Sequence, residues 1–331
     1  MDFRLRALAE LQAGAFTATD AARVDIGASA LRSLTKRSSI VRLRRGAYVL
    51  ADMWEAASPE ERLALRTRAV LLARDVGPAS QAGTGDSGEE VDEPAEADPP
   101  VPDAASHQSA LAVYALPLHG VRLDVVDLIS GVNRVRLAAG LRTQPGNHPT
   151  VTVAGVHCVT MPVAIAQVLM RSGLLAALVP LDSALLTKKC SIDDVSTALD
   201  AVCGANAAIG QRLLELADSK SESVGETRTR LLLHDLGFTP RSQICIHDEW
   251  GAFVARVDFL VGTRIVAEFD GLVKYEGADG KAALAKEKRR EDRMRALTFV
   301  VVRLTWADLD RPERVAQLLQ RAVAQVARSA C

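Results

Sequence analysis

Apolar residues recur at helical spacing near the start of the chain and then switch to alternation. Leu5, Leu8 and Leu11 predict a helix over residues 4–12, and Thr17-Ala-Thr-Asp20 is a capping box opening a short helix through Arg23. Beyond a break at Gly27, residues 28–37 turn Leu31 and Leu34 inward and leave Ser29, Arg32 and Lys36 on another face. Residues 41–50 alternate about a glycine turn, as a β-hairpin does. A helix over 59–74 follows. Residues 105–220 mix strands (121–128, 151–159) with helices (162–171, 174–186, 192–201). Residues 221–331 read helix, strand, strand, helix, strand, helix, so the chain is a multi-domain α/β protein. The expected divisions are 1–50, a helical extension over 51–76, a linker over 77–104, an α/β connecting domain over 105–220 and a last domain over 221–331.

The sharpest local pattern lies between 252 and 270. Phe253, Ala255, Val257 and Phe259 alternate with Arg256 and Asp258, and Ile265, Ala267 and Phe269 alternate with Glu268 and Asp270. A three-residue loop, Gly262-Thr-Arg264, pairs Val261 with Ile265, Phe259 with Ala267 and Val257 with Phe269. That apolar register sets Asp258 opposite Glu268, and a one-residue slip would separate them. Directly opposed Cβ atoms lie about 4.5–5.5 Å apart, so like charges there repel. Either a hard cation such as Mg²⁺ or Mn²⁺ offsets the repulsion and activates water against phosphate, or one acid pairs with Arg256 or Arg264 at the surface. Upstream, Ser223-Val-Gly-Glu226 precedes a helix over 227–236, which gives Glu226 a capping role, a place beside a metal, or both.

Charge reshapes the picture. The net charge is −1, yet residues 77–104 hold eight acids and no Lys or Arg; setting them aside leaves 40 basic against 33 acidic residues. That Pro/Gly/Ser-rich acidic tract is expected to be a disordered linker. Arg32, Lys36, Arg37, Arg42, Arg44 and Arg45 form a run without acids. Three short helices followed by a basic hairpin give the order of a winged helix-turn-helix, whose cations would contact DNA phosphates; the alternative is a solvated basic face. Lys281, Lys286, Lys288, Arg289, Arg290, Arg293 and Arg295 make a second basic stretch, either a solvated helix or a phosphate track, with Lys288 and Arg289 as DNA-contacting candidates. Residues 299–304 read as a buried strand, and Leu318, Leu319, Val323 and Val326 as the inward face of the last helix.

Other chemistry is thin. The five cysteines are scattered without CxxC spacing, the six histidines show no metal-ligand spacing, and residues 83–88 lack the lysine of a phosphate loop. No apolar run is long enough for a membrane span, and no secretory leader is evident, so a cytoplasmic location is expected.

Gly14-Ala-Phe-Thr17, Leu31-Arg-Ser-Leu34 and Leu43-Arg-Arg-Gly-Ala-Tyr-Val49 resemble the N-terminal DNA-binding domain of AbiEi-type antitoxins of type IV toxin–antitoxin systems. The resemblance covers about 50 residues and implies DNA, and a cognate toxin, as partners. Residues 105–220 resemble the connecting region of the same proteins. Ser223-Val-Gly-Glu-Thr-Arg228, Arg256-Val-Asp-Phe259, Ala267-Glu-Phe-Asp-Gly271, Lys286-Glu-Lys-Arg-Arg-Glu-Asp292 and Val301-Val-Arg-Leu-Thr-Trp306 resemble the very-short-patch-repair-like branch of the PD-(D/E)xK nucleases. That resemblance implies a restriction-endonuclease-like mixed sheet flanked by helices, with Asp258 and Glu268 as metal-binding acids and Glu226 as the acid on the first helix. Asp270 stands where the superfamily's plain motif has lysine, and Lys274 where this branch has histidine. Lys274 either activates water and stabilises phosphate charge or is a solvated lysine. Two functions follow as expectations: a Mg²⁺-dependent endonuclease, or a non-enzymatic antitoxin-like regulator with a degenerate nuclease fold.

Overall fold

A computed structural model describes residues 2–75, 102–271 and 288–329. The chain divides into two compact units, residues 1–180 with 190–211, and residues 181–189 with 212–331. Most of the expected linker, together with Lys274, Lys281, Lys286 and Cys331, lies outside the described residues.

The first unit opens α1 (Phe3–Leu11), β1 (Ala15–Thr17), α2 (Ala18–Arg23), α3 (Ala28–Lys36), β2 (Ile40–Arg44), β3 (Ala47–Leu50). The strands form a sheet of order β1-β3-β2, turning at Gly46 with φ 79°. This is a winged helix-turn-helix. The capping box forms as the sequence predicts, with the Asp20 carboxylate accepting from the Thr17 N–H (2.9 Å) and the Thr17 hydroxyl accepting from the Asp20 N–H (3.0 Å). The expected first helix forms, and on it Leu5 and Ala9 are buried while Leu11 is 90% exposed. Steps of three fall 60° short of a full turn, so two of them swing Leu11 well round from Leu5, whereas a step of four keeps Ala9 close.

Two further helices, α4 (Ala51–Ala56) and α5 (Pro59–Asp75), follow. Leu65 and Ala69 of α5 are buried with Ala15, Ala47 and Val49 of the first sheet. A six-stranded sheet of order β6-β7-β5-β4-β9-β8 comes next. Its strands are β4 (Ala104–Ala105), β5 (Val126–Ser130), β6 (Arg136–Ala138), β7 (Leu141–Pro145), β8 (Thr150–Val153) and β9 (Val156–Val159). The expected strand over 121–128 is therefore shifted toward the C-terminus, and that over 151–159 is a hairpin turning at Ala154 and Gly155. Ala104, at the end of the expected linker, is a buried strand residue. The helices are α6 (His107–Val113), α7 (Met161–Ser172), α8 (Leu174–Leu186), α9 (Ile192–Cys203) and α10 (Ala207–Leu216).

The second unit centres on a mixed sheet of order β10-β11-β12-β13, flanked by helices. Its strands are β10 (Pro240–His247), β11 (Phe253–Val261), β12 (Ile265–Phe269) and β13 (Val300–Leu304); the first three run antiparallel and β13 is parallel to β12. Strand β10 was absent from the sequence reading, because Arg241, Gln243, Cys245 and His247 dilute its apolar positions. Helices α11 (Val224–Asp235), α13 (Trp306–Leu309) and α14 (Pro312–Ser329) bury Leu233, Leu309, Val315 and Leu319 with Phe259, Ala267 and Leu304. Val323 of α14 is instead 46% exposed. Helix α12 (288–296) places Met294 in a second cluster with Ile246, Val257, Leu260 and Val266.

The second unit also holds a buried ionic network. Asp182 accepts from the Thr227 hydroxyl at 2.8 Å, from the Asp218 N–H at 2.8 Å and from Arg230 at 2.5 Å. The Asp182 and Arg230 side chains are 1% and 4% exposed. Burial pushes the Asp182 carboxyl up to about 6 despite these partners.

A basic helix and wing, and an acidic cluster

Helix α3 owes its orientation to Leu31, which is buried among Leu5, Phe16, Ile40 and Leu50. With that face inward, Arg32 and Lys36 on α3 and Arg37 at its C-cap are exposed. On the wing, Arg42 and Arg45 are exposed and Arg44 is half-buried, its Nη1 enclosed. All six expected cations thus lie on α3 and the hairpin that follows it. Helix and hairpin together form a surface that can reach a groove and the adjoining phosphates.

In the second unit, the expected hairpin register holds for Val261↔Ile265 and Phe259↔Ala267. The pairing ends at Phe259↔Ala267, so it reaches neither Asp258 opposite Glu268 nor Val257 opposite Phe269. Val257 and Ala255 pack with Leu260 and Val266, and Phe253 is 56% exposed, so alternation breaks at Asp258. The cause lies on β10. Between the pairs Ser242↔Phe259 and Ile244↔Val257 stands Gln243 with φ 54°, a left-handed residue that kinks the strand pair where Asp258 sits.

Asp258 Oδ2 accepts the Phe269 N–H at 2.9 Å, which ties it to β12 beside Glu268. Its carboxyl is pushed up to about 6, first by burial and further by the charges of Glu226 and Glu268; the Phe269 bond and Arg290 act the other way. The structure therefore brings Glu226, Asp258 and Glu268 into one electrostatic neighbourhood. Glu226 is 8% exposed and accepts from the Glu222 N–H (3.0 Å), the Ser223 hydroxyl (2.8 Å) and Gln243 Nε2 (2.9 Å). Helix α11 starts at Val224, three residues earlier than expected, because Ser223 caps it by accepting the Glu226 N–H at 3.1 Å. Glu268 is 9% exposed and held in a two-pronged pair by Arg290, with both N···O distances 2.8 Å.

The expected alternative partners are engaged elsewhere, Arg256 on Glu222 and Arg264 on the Leu297 carbonyl. Asp270 is exposed, and its N–H bonds the Leu304 carbonyl at 2.8 Å. Lys288 and Arg289 are exposed on α12. Sequence reasoning missed Arg290 as the partner of Glu268 and Gln243 as a donor to Glu226. Neither separation in sequence signals contact, although Arg290 stood within the basic stretch already singled out.

Three of the motifs that carried the nuclease-like resemblance meet around one aromatic ring. A Cβ at Gly225 would lie 2.0 Å from Phe269 Cε1, so only glycine lets α11 approach β12 there. Phe269 stands edge-on to Trp306 at 4.8 Å between centroids, and the Arg228 guanidinium lies over Trp306 at 5.9 Å.

Residues 4–51 match the family described as transcriptional regulator, AbiEi antitoxin. The match spans the winged helix and supports a DNA-binding regulator at this end of the chain. No curated protein matches the chain. No described helix is long and apolar enough to cross a membrane.

Among the described residues, no group of three or more His, Cys, Asp or Glu side chains is arranged to hold a metal. Both Glu268 oxygens face Arg290, and Glu226 is occupied by three donors. As placed, these residues do not fit a metal; Glu268 would first have to leave Arg290.

Proposed function

We propose that the chain is a DNA-binding transcriptional regulator of the AbiEi antitoxin kind. The observation that carries this reading is the family match over 4–51, on a winged helix whose α3 and wing expose Arg32, Lys36, Arg37, Arg42 and Arg45. Helix α3 would enter a major groove while the wing cations lie along phosphates, so affinity is expected to rest largely on counterion release. The family's description as an antitoxin extends the proposal to a cognate toxin as partner. The test is fluorescence anisotropy of labelled duplex DNA across a salt series. Replacing Arg32 and Lys36 with alanine together should reduce the slope of log affinity against log salt by about 2 and weaken binding about tenfold or more. An unchanged slope and affinity would place the DNA surface elsewhere.

A second reading is a Mg²⁺- or Mn²⁺-dependent endonuclease in the second unit. The observation favouring it is that Glu226, Asp258 and Glu268 share one neighbourhood, with the Asp258 carboxyl raised to about 6. It requires Arg290 to exchange away from Glu268. Supercoiled plasmid is incubated with either cation, with chelator and Glu268→Ala controls. Cleavage lost in the variant and with chelator supports the reading. Cleavage by both proteins, or by neither while duplex binding persists, removes it and leaves the regulator.

A further inference from the structure

Cavities, buried charges and exposed patches throughout the described residues point most strongly to the space among α4, α5 and α6. It has a volume of about 460 Å³, within the usual range for a small-molecule site. The cavity exists because its wall is short: Ala13, Ala56, Ala57, Ala64, Ala112 and Ala115 all line it. Among its lining residues, two carry charge, Glu61 and Arg68. Glu61 is already employed at the start of α5, where Oε2 accepts the Ser58 N–H at 2.7 Å and its own N–H donates to the Ser58 hydroxyl at 3.2 Å.

Arg68 is different. Its Nε is buried without an acceptor, and among the described residues its guanidinium has no hydrogen bond and no carboxylate partner. Its neighbours on α5 are satisfied: Arg62 donates to the Trp54 carbonyl at 2.9 Å and Arg66 to the Leu123 carbonyl at 2.9 Å. A half-buried cation left unpaired on an apolar wall is costly, and a bound carboxylate would offset that cost. Burial draws the Arg68 pKa below its ordinary range and outweighs the opposing effect of the Cys158 thiol.

We propose that this cavity binds an organic acid with an apolar body, its carboxylate paired with Arg68 and its hydrocarbon against the alanine wall. The proposal is independent of the DNA-binding reading, and its test involves no DNA.

The test is isothermal titration of the full chain with 4-phenylbutanoate and with 4-phenylbutanol, which share a body and differ in charge. The acid should bind at least about tenfold more tightly than the alcohol, and Arg68→Met should abolish that preference. Ala64→Phe, which fills the cavity, should abolish binding of both. A thermal melt supplies a ligand-free readout: Arg68→Met, which removes an unpaired charge, should melt no lower than the wild type. The proposal is overturned by absence of acid binding up to about 1 mM, by equal affinity for acid and alcohol, by an unchanged preference in Arg68→Met, or by a lowered melting temperature in that variant.

Discussion

Replacing Asp258 with asparagine tests whether the acidic cluster is a strained arrangement of charge. Asparagine keeps a side-chain oxygen for the Phe269 N–H but cannot ionise. The wild-type carboxyl titrates near 6 in the folded protein against an ordinary value of 3.8. A carboxyl whose pKa is raised on folding binds more protons folded than unfolded between those values, so stability falls as pH rises through that window. Well below pH 4 both states are protonated and the carboxyl costs nothing; well above pH 6 the full cost is present. The difference between those values corresponds to about 3 kcal/mol, and discounting for the partial exposure of Asp258 leaves about 1–2 kcal/mol. Asp258→Asn should therefore lie within about 0.5 kcal/mol of the wild type at pH 4 and exceed its stability at pH 8 by about 1–2 kcal/mol in urea melts. Equal stability of the two proteins at pH 8, or a gain of similar size at pH 4, would refute the reasoning. Added Mg²⁺ extends the experiment: a cation that binds the cluster should stabilise the wild type at pH 8 and not the variant.

Gly225→Ala should destabilise the second unit by about 1–3 kcal/mol, since the new Cβ drives into the Phe269 ring, and Phe269→Leu in the same chain should recover part of the loss; a melt at the wild-type temperature would show that α11 and β12 adjust freely. Arg230→Met should cost about 3–5 kcal/mol in a denaturant melt because it strands the Asp182 carboxylate, and the loss should be greater at pH 8 than at pH 5. Adding Asp182→Asn should restore part of that stability; no restoration would locate the damage in packing and not in charge.

Legibility in the sequence followed the range of the interaction. The capping box at Thr17, the wing turn at Gly46 and the pairing of Val261 with Ile265 rest on neighbours a few residues apart, and short motifs with the apolar pattern were enough to find them. The nearness of Asp258 to Glu268 followed from the same register: the pairing ends at Phe259↔Ala267, and a tight turn keeps the next residues on both strands close. What failed depended on distant partners. The apolar face could not be extended past Phe259 because the kink is set by Gln243 on a strand whose polar residues concealed it. Likewise Arg290 on Glu268 and Arg230 on Asp182 join positions 22 and 48 residues apart, and nothing in either local pattern marks the pair. Gly225 was visible in a motif, but its reason, the Phe269 ring, was not.

The burial of Leu65 and Ala69 against the first sheet separates two kinds of boundary. The family match stops at residue 51, but the apolar underside of the wing is closed by a helix that runs to Asp75. A fragment cut at the edge of the recognisable segment would leave Ala15, Ala47 and Val49 facing water and would be prone to self-association. Recognition and closure thus end at different residues: the stretch that matches a family is shorter than the stretch needed to cover its own apolar face.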